Sequence, residues 1–193
     1  LVDGTSVADP AAAAERAERL FALVDRHFER ALVRPEEAAA LEVTRAELFS
    51  LRTTGRELER VADEARRLAE VANASDDPTG LDSGDAVANL ATTARGVVED
   101  AASFAVGDGD ATAAWTAFDR TDSVTDDLEA LERTLLADDD VDYRLTHVLR
   151  GLERTATHGR RIAERGLGQA VRDGALAPED VEVDANVDQG ADA

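Results

Sequence analysis

Residues 58–70 read LERVADEARRLAE, and residues 152–164 read LERTATHGRRIAE. Eight of the thirteen aligned positions are identical, and Leu68 against Ile162 is a conservative change. The same offset of 94 residues sets Asp25-Arg26 on Asp119-Arg120 and Phe21 on Trp115. One shift that aligns two separate segments implies a duplicated unit longer than a single helix. The chain is therefore expected to fold as two related units.

The residues available are those of helices. Ala, Leu, Glu and Arg, all abundant, favour helix, whereas β-branched and aromatic residues are too few for a large sheet. Charge is extreme: 42 acidic residues stand against 21 basic ones in 193, a formal net charge of -21. All the basic residues are Arg, and Asp outnumbers Glu. The acids are spread along the whole chain, which reads as adaptation to molar salt rather than as one acidic docking patch or a nucleic-acid mimic. At about 1 M ionic strength the Debye length falls to roughly 3 Å, which screens the self-repulsion. The expected result is a loss of helical circular dichroism when KCl is lowered from molar to millimolar. An unchanged signal would count against salt adaptation.

The same charge excludes direct nucleic-acid binding by this region, because phosphate contacts need a basic patch. The absence of Cys excludes disulfides and thiolate sites. No apolar run approaches the roughly 20 residues that span a bilayer, so no membrane insertion is expected and the chain reads as cytoplasmic.

Local signals divide the chain. Residues 1–9 are an irregular lead-in. Asp9-Pro10 opens a helix to about Leu32, with Ala13, Ala17, Leu20, Val24, His27 and Ala31 as its stripe, ended by Arg34-Pro35. A short helical turn covers 35–42. Thr44 to Glu47 is a capping box. It starts a long helix with Leu48, Leu51, Leu58, Val61, Ala65, Leu68 and Ala72 as its stripe. A linker occupies 75–84, and a helix follows over 85–106. Gly107 to Gly109 makes a tight turn, and Asp110 caps a helix to about Ala137. The last helix, about 141–173, keeps a seam of Leu145, Leu149, Leu152, Ala156, Gly159, Ala163, Gly166 and Ala170, as in a bundle. Gly174 suits a C-cap, and residues 174–193 form an acidic, disordered tail.

The helices at 110–137 and 141–173 repeat those at 10–32 and 44–74. The helix at 85–106 has no counterpart, because that counterpart would begin before residue 1. The expected architecture is all-α, an elongated pair of three-helix-bundle repeats at 10–74 and 85–173, the first lacking its first helix. The chain begins with Leu1 and not Met, as a fragment of a longer protein would. The apolar stripe left open calls for cover, from upstream residues or from a second copy in a homodimer.

The segment LERVADEARRLAE resembles the signature helix of PhoU-type phosphate-uptake regulators, a Leu-Glu-Arg-[Ile/Val]-[Gly/Ala]-Asp run followed by Ile/Leu-Ala-Glu. Leu58, Glu59, Arg60, Val61, Ala62, Asp63 and Ala69-Glu70 fall on it in order. The second copy keeps Leu152-Glu153-Arg154 but has Thr157 where the family has Asp. The resemblance covers about residues 15–172 and is to the archaeal, halophilic type, members of which often carry an AbrB-like DNA-binding domain upstream. It implies duplicated three-helix bundles. It also implies a non-enzymatic regulator that contacts the phosphate transporter or its signalling partners and can bind metal through carboxylates. The alternative is a dimerising bundle of a transcription regulator with no tie to phosphate.

Glu59 and Asp63 stand at i and i+4 and repel on an isolated helix. Asp25 and Glu29 have the same spacing on the neighbouring helix. These four are the candidate metal ligands of the first repeat, for a divalent or iron-type ion; Asp119 and Glu153 are the weaker set of the second. The alternative is a solvated face paired with Arg26, Arg60, Arg66 and Arg67. His158 reads as a surface histidine that can also serve as a ligand, and His27 and His147 as packing residues. The recurring Arg60/Arg154 and Arg66-Arg67/Arg160-Arg161 read as braces for acidic neighbours, with phosphate binding the alternative. No phosphate loop, nucleophile elbow, paired-His motif or Glu-x-x-His pair is present, so no enzyme is expected and no cofactor beyond metal.

Overall fold

The computed structural model describes residues 9–73, 84–107, 109–135 and 143–177. The lead-in up to residue 8, the linker up to residue 83, the Asp138-Asp139-Asp140 break and the tail beyond residue 177 lie outside the described residues. Within them the chain is all-α, with helices α1 (Pro10–Val33), α2 (Pro35–Ala40), α3 (Arg45–Asn73), α4 (Gly84–Ala105), α5 (Ala111–Leu135) and α6 (Tyr143–Arg172). None of them is long and apolar enough to cross a membrane.

The local signals set the helix ends. Asp9 accepts a hydrogen bond from the backbone N–H of Ala11, with Pro10 in the first turn. The capping box closes in both directions: the N–H of Thr44 donates to Glu47, and the N–H of Glu47 donates to Oγ1 of Thr44. The bond from the Thr44 N–H, helped by the Thr44 hydroxyl, holds the Glu47 carboxyl below its usual range. Asp110 accepts from the N–H groups of Thr112 and Ala113 at the start of α5. Gly107 and Gly174 have the positive φ that the turn and the C-cap require.

The three helices α4, α5 and α6 close on one another around the main core, with α5 antiparallel to both of the others. Small residues set the approach of α4 to α6. A Cβ on Gly159 would meet Val97 Cγ1 at 2.7 Å and the backbone N of Val98 at 3.1 Å, and one on Gly166 would meet Phe104. Both pairs advance together along the chain, so α4 and α6 run parallel. Backbone cannot yield as a flexible side-chain tip can, so Gly159→Val is expected to lower stability by about 1–3 kcal/mol. Gly55→Ala, whose Cβ would make ordinary contact with Phe21, is expected to gain about 0.5–1 kcal/mol from helix propensity. Urea denaturation in molar KCl reads both.

Helix α3 packs antiparallel on the outer side of α6, and α1 packs antiparallel on α3. Here the stripes differ from the sequence pattern. On α1 the buried residues are Phe21 and Ala31, and Leu20 and Leu23 are exposed. On α3 Leu48 is buried, but Leu51 and Ala65 are exposed, and the face against α6 buries Thr54, Glu57 and Glu64 instead. The physical reason is the number of neighbours. Helix α6 packs closely on three helices, whereas α1 packs mainly on α3 and the short α2 among the described residues. Two arginines of α3 cover the α1 aromatics: Arg56 lies over Phe21 and Arg52 over Phe28.

Candidate functional site between the two repeated helices

The repeated motifs meet. Residues 58–70 lie on α3 and 152–164 on α6, and the two helices pack on one another in opposite directions. The direction follows from three contacts: Gly151 lies against Leu68, Arg154 pairs with Glu64, and His158 pairs with Glu57. The duplicated segments thus face each other about an approximate two-fold axis.

Their chemistry is not symmetric, and the asymmetry joins them. The first copy contributes buried carboxylates, Glu57 and Glu64. The second contributes cationic or donating groups. Arg154 Nη2 donates to Glu64 at 2.8 Å, and His158 Nδ1 lies 2.7 Å from the Oε2 acceptor of Glu57. Each carboxylate also has an arginine on its own helix, Arg60 for Glu57 and Arg67 for Glu64. A buried carboxylate needs such partners, because an uncompensated charge out of water is costly. At the offset of the repeat, Glu64 corresponds to His158 and Glu57 to Gly151. A glutamate kept at both 64 and 158 would have set acid near acid across this contact. The bond to Glu64 also holds Arg154 more firmly protonated.

His158 is therefore an interface residue and not a surface histidine, while His147 is exposed and packing does not account for it. Glu57 and Glu64 escaped the sequence reading. A signal for them was present, because Glu57, Val61, Glu64 and Leu68 follow one another at spacings of four, three and four.

The candidate metal ligands take arginine partners. Asp25 pairs with Arg52, and Glu59 with Arg56. Asp63 is held by Arg66 and Arg67, both at 2.7 Å. Glu29 and Asp119 are exposed on α1 and α5, and Glu153 pairs with Arg150. Glu59 and Asp63 line a shallow acidic depression with Glu15 and Glu18, into which Arg60 and Arg66 also reach. Among the described residues, no three His, Asp or Glu side chains gather closely enough to hold an ion. Arginine bracing is what the geometry provides at these positions.

The bond from Arg66, with the nearby charge of Arg67, holds the Asp63 carboxyl below its ordinary range against a smaller opposing effect of burial. A depressed carboxylate contributes stability above its unfolded value of about 3.9, lost as pH falls through the folded value. The wild-type urea midpoint in molar KCl is expected to drop in that acid window, and Asp63→Asn is expected to flatten part of the drop. Because the group is partly solvated the effect is modest. No family model matches the chain, and no curated protein matches it.

Proposed function

We propose that this chain is a regulatory module of the PhoU type, working by protein contacts in a high-salt cytoplasm and performing no chemistry of its own. The observation that supports it most is the duplicated Leu-Glu-Arg helix, whose two copies, resembling the PhoU signature, pack against each other at the centre of an all-α fold. Buried carboxylates held by arginine and histidine make that contact a fixed joint between the two units rather than a reaction centre. A net charge of -21 leaves protein surfaces, and not nucleic acid, as the natural partners of this region. The partners in this reading are the phosphate transporter or its signalling proteins. Any metal at Glu59 and Asp63 competes with the arginines that already hold them.

The test is co-purification of the tagged full chain from its own cells in molar KCl, with phosphate uptake measured in the deletion strain. Enrichment of phosphate-transport or signalling proteins, with altered uptake on deletion, is expected. Neither enrichment nor altered uptake would sink the phosphate reading and leave only the bundle.

A further inference from the structure

We propose that the cleft between the start of α3 and the end of α6 binds a protonated tetrahedral oxyanion, the hydrogen-phosphate class of ligand. Arg154, His158, Arg161, Arg165, Gly168 and Arg172 follow one another at spacings of four and three, so they share one edge of α6. Antiparallel packing pairs Arg154 with Glu64 and His158 with Glu57. Farther along that edge the bases continue, but the acids of α3 stop. Arg165 and Arg172 line a cleft of about 260 Å³ whose other wall is Ser50, Thr53 and Phe49 of α3. Among the described residues Arg165 has no ion pair. Arg172 donates to neutral groups, Gln169 at 2.8 Å and Ser50 at 3.4 Å. In a chain with 42 acids and 21 arginines, two guanidiniums at one cleft without a paired carboxylate call for an anion from elsewhere.

The groups in the cleft both donate and accept. Each guanidinium has N–H groups to spare, and Ser50 takes the Arg172 bond on its oxygen and keeps its own O–H to give. Thr53 has committed its proton to the carbonyls of Phe49 and Ser50, which leaves its oxygen as an acceptor. Glu164, 53% exposed and 3.6 Å from Arg160, adds a carboxylate at the rim. A Cβ on Gly168 would stand 3.5 Å from Nη1 of Arg172, so the glycine keeps that edge of the guanidinium open. Hydrogen phosphate suits this set because it carries a P–O–H donor beside its charged oxygens. Sulfate and carboxylate ions have no such proton and leave Glu164 facing a like charge. The chain's own acids beyond Ala177 are therefore poorer occupants than phosphate. The described residues after α6 also turn to its other side: the N–H groups of Ala175 and Leu176 donate to Ala170, which borders Phe104 of α4, and Leu176 packs on the main core. The site stands on these groups alone and is independent of the regulatory reading.

The test is isothermal titration of the full chain with potassium phosphate, and separately with potassium sulfate, in molar KCl at neutral pH. One phosphate per chain is expected, with sulfate at least tenfold weaker. Arg165→Gln with Arg172→Gln is expected to weaken phosphate binding more than tenfold at unchanged helicity, since both side chains are exposed. Glu164→Gln, whose amide can donate, is expected to narrow the preference over sulfate at least threefold. Replacing the six acids beyond Ala177 by their amides is expected to leave phosphate binding within twofold. Absence of phosphate binding overturns the proposal, as does binding indifferent to the arginines or equal for sulfate. Binding that emerges only when those six acids are replaced would assign the cleft to them and overturn it as well.

Discussion

Leu145→Ala is expected to lower stability by about 2–5 kcal/mol, and Leu51→Ala, the same position in the other copy, by under about 1 kcal/mol. Both are leucines near the start of a long helix of the repeat, separated by the repeat offset. Leu145 lies in the main core, where truncation removes the transfer energy of the lost methyl groups and leaves a cavity that close-packed neighbours cannot fill. Leu51 borders an open cleft beside Phe104 and Val106. Water already reaches its methyl groups, so their removal costs little. Urea midpoints of the two variants in molar KCl check this. Equal losses would mean that the first copy's open face is covered in the protein as measured, and repeating the pair with Leu20→Asp would then show whether α1 shares that cover.

His158→Leu is expected to cost about 1–3 kcal/mol, and the double variant Glu57→Leu/His158→Leu to lie within about 1 kcal/mol of wild type. The single change leaves the buried Glu57 carboxylate with only Arg60, which is itself half exposed. The double change removes both polar groups and fills the space between α3 and α6 with hydrocarbon. A coupling energy of about 1–3 kcal/mol from the four-variant cycle is the expected signature of a direct contact. Additive losses would show that Glu57 and His158 do not rely on one another. The result bears on function because this contact fixes the two units together. If it relaxes, α3 and α1 lose their seat on α6, and any partner bound to α1 loses a rigid platform.

The resemblance between the copies is a property of sequence and is legible without coordinates. So were the helix ends, because the groups that cap them lie within three residues of one another. Asp9, the Thr44–Glu47 pair and Asp110 all cap as their spacing implies. The seam of α6 was equally plain, since a helix with neighbours on several sides buries most of its stripe: Leu145, Leu149, Leu152, Ala156 and Ala163 are all in the core. The stripes of α1 and α3 were not, because a helical period tells which residues share a face and not which faces meet a neighbour. Leu20 and Leu51 belong to regular stripes and stay exposed, while Phe21 turns inward.

The site divides along the same line. Glu59 and Asp63 were chosen for their mutual spacing, and the arginines that claim them, Arg56, Arg66 and Arg67, are local too. Spacing could not rank arginine against metal, because both answer the same repulsion. The pairs that join the copies, Glu64 with Arg154 and Glu57 with His158, bridge residues 90 and 101 positions apart. Sequence alone determined that this chain is helical, acidic and duplicated, because propensity, charge and repetition are carried by residues near one another or by composition. Only the tertiary structure decided that the two repeated helices face each other with acids on one and bases on the other, and that one copy's apolar side stands open. Both depend on which surfaces come together across the chain, which no local period encodes.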